Sequence, residues 1–184
     1  SSLNGIGVRP LMYELAMYMP SPMEHTYHGI NPKTKSMHIR HADMSESFTA
    51  QVFKTIADPF VGKLSYLRVI SGKVTAGEPL TNARTGEVEK ITKPLTVLGK
   101  KQIENDGIGA GDIGAVAKLV SAKTGDTLCD ADRVVKLPAP VFPKPSLFMA
   151  VTVAKKGDEG KISSALARPV SYTHLRAHET VLDL

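Results

Sequence analysis

Apolar positions along the chain change their spacing twice, and each change marks a boundary. Residues 10–19 read PLMYELAMYM. Leu11, Leu15 and Tyr18 recur at helical intervals, with Met12 and Met19 beside the same face. Pro10 suits a first turn, and Pro20 with Pro22 stops the helix. One short amphipathic helix makes no core, so this one is expected to pack on a surface outside these residues. Residues 21–47 are polar and aperiodic, and read as a linker or exposed loop.

From Phe48 the pattern becomes short runs rich in β-branched residues. TAQVFKTI, KLSYLRVISG, EPLTNA, EVEKITKPLTVL, IGAVAKLV and DRVVKLP are separated by turn pairs such as Ser71-Gly72, Thr85-Gly86 and Thr124-Gly125. Such spacing predicts a closed β-barrel over about Phe48 to Leu137, in which closure removes unpaired edges. Pro138, Pro140, Pro143 and Pro145 form a stiff spacer. Beyond it, LFMAVTV reads as a strand and DEGKISSALAR as a short amphipathic helix. A lone β-α pair is not a domain, so this third unit is expected to be truncated. Residues 170–180, VSYTHLRAHET, resemble the translation of a common transposon-type sequencing adapter, and residues 170–184 are expected to be non-native and without a role.

Composition narrows the function classes. With 42% apolar and 22% charged residues in 184, the chain supports a packed core. Its 15 Gly and 12 Pro favour short strands over long helices. The net charge of +5 fits either a polyanion binder or a solvated surface with a slight Lys excess. A single cysteine, Cys129, excludes an internal disulfide and reads as a small buried residue rather than a nucleophile. No apolar run approaches the ~18 residues of a membrane span. No signal peptide is evident, so the expected compartment is the cytosol.

Several motifs suggest chemistry. Gly109-Ala-Gly111-Asp-Ile-Gly114 fits the dinucleotide fingerprint, but the residues after it are β-like, so a glycine-rich turn into a strand is the better account. His174 and His178 have zinc-like spacing but fall in the adapter-like tail, and His25, His28, His38 and His41 are scattered. No metal site is expected. Asp58-Pro-Phe-Val-Gly-Lys63 reads as a strand connection, with Phe60 and Val61 available to plug the barrel. Lys100 and Lys101, with Lys90 and Lys93, read either as solvated lysines or as a basic edge facing phosphates. No catalytic nucleophile, base or metal cluster stands out, which favours a binding module.

The stretch SFTAQVFKTIADPFVGKLSYLRVISGKVTAGEPLTNARTGEVEKI, with AGDIGAVAKL and TGDTLCD, closely resembles the second domain of the elongation factor G family of translational GTPases. SSLNGIGVRPLMYELAMYMPSP resembles the end of that family's G domain, and FPKPSLFMAVTVAKKGDEGKISSALAR the start of its third domain. The resemblance implies a mainly β fold: a translation-factor domain II barrel, a flanking N-terminal helix and a truncated α+β, ferredoxin-like third domain. The implied units are residues 1–28 as G-domain remnant, 29–47 as linker, 48–140 as barrel and 141–169 as third-domain start. The implied role is that of a fragment of a ribosome-binding GTPase, acting in translocation or, in a paralogue, in ribosome disassembly, recycling or protection. Its expected partners are the ribosome, small-subunit ribosomal RNA and the parent's own G domain, with no membrane, and the expected state is a monomer. The parent uses GTP and magnesium, whereas no P-loop, magnesium ligand or switch is found here, so the fragment is expected to hold no cofactor and to hydrolyse nothing. Ser1, Ser2 and Leu3 resemble the family's guanine-contact box, with Ser2 in place of the usual Ala, and are expected to bind nothing alone. Lys63, Arg68, Lys93, Lys100 and Lys101 are the expected RNA contacts. The competing reading is a stand-alone β-barrel RNA- or ribosome-binding module without GTPase activity.

Overall fold

The structure is a computed structural model that describes residues 1–58, 61–99 and 101–142. Phe60 as a plug, Lys100, most of the expected third-domain segment and the adapter-like tail lie outside the described residues. Within them the chain is mainly β, with one N-terminal helix.

Helix α1 spans Val8–Tyr18, and the Met19 amide closes its last turn on the Leu15 carbonyl at 3.1 Å. The helix is where the apolar spacing predicts it. None of its residues is buried, and Leu11, Leu15 and Tyr18 are all exposed.

Strands β1 (Tyr27–Ile30) and β2 (Met37–Arg40) form an antiparallel hairpin. Polar composition pointed to a linker here, and tertiary contact explains the difference. Asn31 Oδ1 accepts from the amides of Lys33 (2.9 Å) and Thr34 (3.1 Å), which shapes the turn. Ile30 and Lys136 then exchange two backbone hydrogen bonds of 2.9 Å, tying the hairpin to the far end of the barrel segment. Gly29 permits the approach, since a Cβ there would collide with Val135 Cγ1.

Ten further strands follow: β3 (Thr49–Asp58), β4 (Gly62–Ser71), β5 (Lys73–Thr75), β6 (Pro79–Asn82), β7 (Val88–Lys90), β8 (Leu95–Leu98), β9 (Lys101–Glu104), β10 (Gly107–Gly109), β11 (Ile113–Ala117) and β12 (Thr127–Cys129). Eight pair in the order β7-β6-β12-β3-β4-β11-β8-β9, while β5 and β10 form a separate ribbon. Among the described residues this ladder does not return from β9 to β7. The sheet is therefore a half-barrel rather than a ladder closed on itself. Its concave side holds the main core, with Val52, Leu67, Val69, Val116 and Leu128 capped by Val74 and Ile108 of the ribbon. On the other face of β4, β8 and β11, Leu64, Leu95, Ala115 and Ala117 form a smaller cluster.

DRVVKLP was expected as a strand, and it is instead a 3-10 turn at Ala131–Arg133 followed by the single bridge at Lys136. Its apolar residues are still used, because Val135 and Leu137 bury against Ile70 and Tyr27. The glycine fingerprint is structural, as expected. Gly111 sits at φ +87°, and a Cβ on Gly114 would collide with Ile108 Cδ1. Those glycines turn the chain and seat the ribbon on β11.

Candidate functional site

The charged side chains divide into those the fold has bound and those it leaves free. Glu89 is buried on β7, where its carboxylate accepts from the amides of Val120 (3.0 Å) and Ala122 (2.9 Å) and from the amide and hydroxyl of Ser121. Burial pushes its pKa up, but these donors outweigh burial and hold it below the usual carboxylate value. Asp126 behaves alike. Burial is opposed by Arg84, which reaches it at 2.6 and 2.8 Å, by Asn82 at 3.0 Å and by the Lys123 amide at 2.9 Å, and the net shift is downward. Lys63 donates from Nζ to the Ala122 carbonyl at 2.6 Å. Desolvation lowers its pKa, and the attraction of Glu89 and Asp126 only partly compensates. These groups stitch the segment 118–126 to the sheet.

The expected RNA contacts therefore differ among themselves. Lys63 donates into that clamp rather than outward. Lys93 is held by Glu104 at 2.7 Å, a hydrogen bond that raises its pKa. Lys101 is exposed on β9. Arg68 is half-buried on β4, and it forms no ion pair among the described residues. Ser1, Ser2 and Leu3 lie in an exposed N-terminal turn closed by Gly5 N–H donating to the Ser2 carbonyl at 3.2 Å. Among the described residues no hydrogen bond or ion pair joins them to Lys63, Arg68, Lys93 or Lys101.

Sequence reasoning missed a group that the structure assembles next to Arg68. The β3–β4 register shifts between Val52 and Lys54, so Phe53 is an extra residue in a bulge. Lys54 pairs with Tyr66, and Gln51 pairs with Arg68. Tyr66 and Arg68 are two residues apart on β4 and share its outer face. The rings of Phe53 and Tyr66 lie 6.2 Å apart at 56°, and Lys54 Nζ lies 5.8 Å from the Tyr66 centroid. The available signal was the broken alternation at Phe53-Lys54 within an otherwise regular strand.

A cleft lined by Ser45, Glu46, Ser47 and residues 130–133 carries three carboxylates and is unsuited to phosphate. Asp130 in it is committed to the Phe48 amide at 2.8 Å. No group of three or more His, Cys, Asp or Glu suited to a metal exists among the described residues. Cys129 is fully buried, as expected from sequence, and burial raises its thiol pKa. No described helix is long and apolar enough to cross a membrane.

Fold and surface thus define a mainly β half-barrel domain with a basic, aromatic outer face. The family described as Elongation factor G domain 2 matches residues 47–131. An Elongation factor G of Amoebophilus asiaticus (strain 5a2) is 37% identical over 171 residues, covering 92% of this chain and 24% of that protein. A crystal structure of a Thermus thermophilus protein is similar in fold, with a TM-score of 0.67 at 23% identity over 91% of this chain and 23% of that one. The half-barrel thus matches the Elongation factor G domain 2 family, and the chain around it is similar to an elongation factor G. It spans 24% of the length of the curated relative it matches.

Proposed function

We propose that this chain is part of a cytosolic, ribosome-binding translational GTPase of the elongation factor G type. The parent would act in GTP-dependent translocation or, as a paralogue, in ribosome disassembly or recycling. The observation that carries this reading is the match of residues 47–131 to Elongation factor G domain 2. On this reading the half-barrel meets small-subunit ribosomal RNA, and GTP and magnesium are held by other parts of the parent. The unburied helix α1 supports residues 1–28 as the end of a G domain, since its exposed Leu11, Leu15 and Tyr18 suit packing on such a neighbour. Residues 141–169 would open a ferredoxin-like third domain.

The experiment is co-sedimentation of the full chain with small ribosomal subunits across a salt series. The expected result is weak, salt-sensitive binding, about micromolar, because in the parent several domains share the task. A labelled GTP analogue should show no saturable binding to this chain. Absence of subunit binding at low salt would overturn the reading.

A further inference from the structure

The outer face of β3 and β4 combines features that a solvated surface lacks. Two aromatic rings meet there, both half-buried, with Tyr66 seated on the Leu64–Leu95–Ala115–Ala117 cluster. Packing against that cluster restricts the ring and lowers the entropy lost when a ligand stacks on it. The bulge holds Phe53 beside Tyr66. The Tyr66 hydroxyl makes no hydrogen bond among the described residues. The two cations on this face, Lys54 and Arg68, form no ion pair there either. Two nearby carboxylates are otherwise committed: Asp58 Oδ2 accepts from Gln102 at 2.6 Å, and Glu104 holds Lys93. Asp112, beside β11, pairs with neither cation.

We propose that this face is a stacking platform for an unpaired nucleotide of RNA. One base lies against Tyr66 and Phe53, and its flanking phosphates meet Lys54 and Arg68. The inference rests on the RNA-binding reading above and specifies its ligand. Single strands fit better than duplexes, because a paired base hides its π-face within the helical stack. Lys54 now hovers over the Tyr66 ring as a cation–π partner and swings outward to a phosphate when a base arrives.

The test uses the full chain and a fluorescently labelled oligouridine, read by anisotropy, against a duplex of equal length and an abasic oligomer of equal charge. Phe53→Leu and Tyr66→Leu keep apolar volume, and circular dichroism checks that each is folded. Each is expected to weaken single-strand binding about tenfold with the salt slope unchanged. The abasic oligomer should be weaker by a similar factor for the unaltered chain, which keeps the test decisive if a variant unfolds. Lys54→Gln and Arg68→Gln should each flatten the salt slope by about 0.7. Equal affinity for single strand, duplex and abasic oligomer would overturn stacking. Leucine variants that bind oligouridine normally, in a chain that still sediments with small subunits, would overturn the platform and leave the RNA reading standing. A chain that binds neither oligomer nor subunit removes both.

Discussion

Replacing Glu89 tests the polar clamp that organises the segment 118–126. Its carboxylate accepts three backbone amides and the Ser121 hydroxyl. Glu89→Ala strands these donors, of which the Ala122 amide is fully buried and the other two amides partly so. A stranded buried donor costs about 1–3 kcal/mol, and partly exposed donors cost less because water reaches them. Removing the buried charge returns some desolvation energy. The net expectation is a loss of about 3 kcal/mol at neutral pH. Glu89→Gln keeps one acceptor oxygen and should lose about half of that. The two variants should also differ from the parent in pH response. The fold lowers the carboxylate's pKa, so its contribution is complete above the ordinary value near 4.5 and vanishes as pH falls through the folded value. Parent and Glu89→Gln should therefore differ at pH 7 and converge in acid. Urea unfolding followed by far-UV circular dichroism, at neutral pH and through the acid range, measures both effects. An unchanged midpoint for Glu89→Ala at pH 7 would refute the clamp, and a gap that widens in acid would refute the sign of the linkage.

Lys63→Gln should lower stability through loss of its bond to the Ala122 carbonyl, while leaving the RNA salt slope as it was; a flattened slope would return Lys63 to the interface. Gly114→Val should cost about 1–3 kcal/mol by overpacking against Ile108, with part recovered in a Gly114→Val, Ile108→Ala double variant, as thermal melts would show. Cys129 should resist a thiol reagent in the folded chain and react at once in denaturant, because the thiol is buried and its pKa raised. Lys101→Ala should flatten the salt slope of subunit binding if that exposed lysine meets RNA, and co-sedimentation with an unaltered slope would mark it as ordinary surface.

Local chemistry alone determined a good deal of this protein. Period-3.6 spacing before a double proline located α1, and β-branched runs between glycine turns located six of the twelve strands, β3, β4, β6, β7, β8 and β11, because both signals depend on neighbours within a few residues. The role of Gly109, Gly111 and Gly114 as a turn was legible for the same reason. What tertiary structure decided has a different physical basis. The β1–β2 hairpin is fastened where Ile30 meets Lys136, more than a hundred positions along the chain, and no local pattern encodes that pairing. DRVVKLP keeps its burial but loses its strand, since its neighbour is one residue of that hairpin rather than a sheet edge. Lysine identity said nothing of whether a carboxylate or carbonyl would claim the charge. The fold ties Lys63 to a backbone carbonyl and pairs Lys93 with Glu104 at the surface, while Lys54 and Arg68 form no ion pair among the described residues. The aromatic face likewise depends on one bulge, where a single extra residue in β3 sets Phe53 beside a ring carried by the opposite strand.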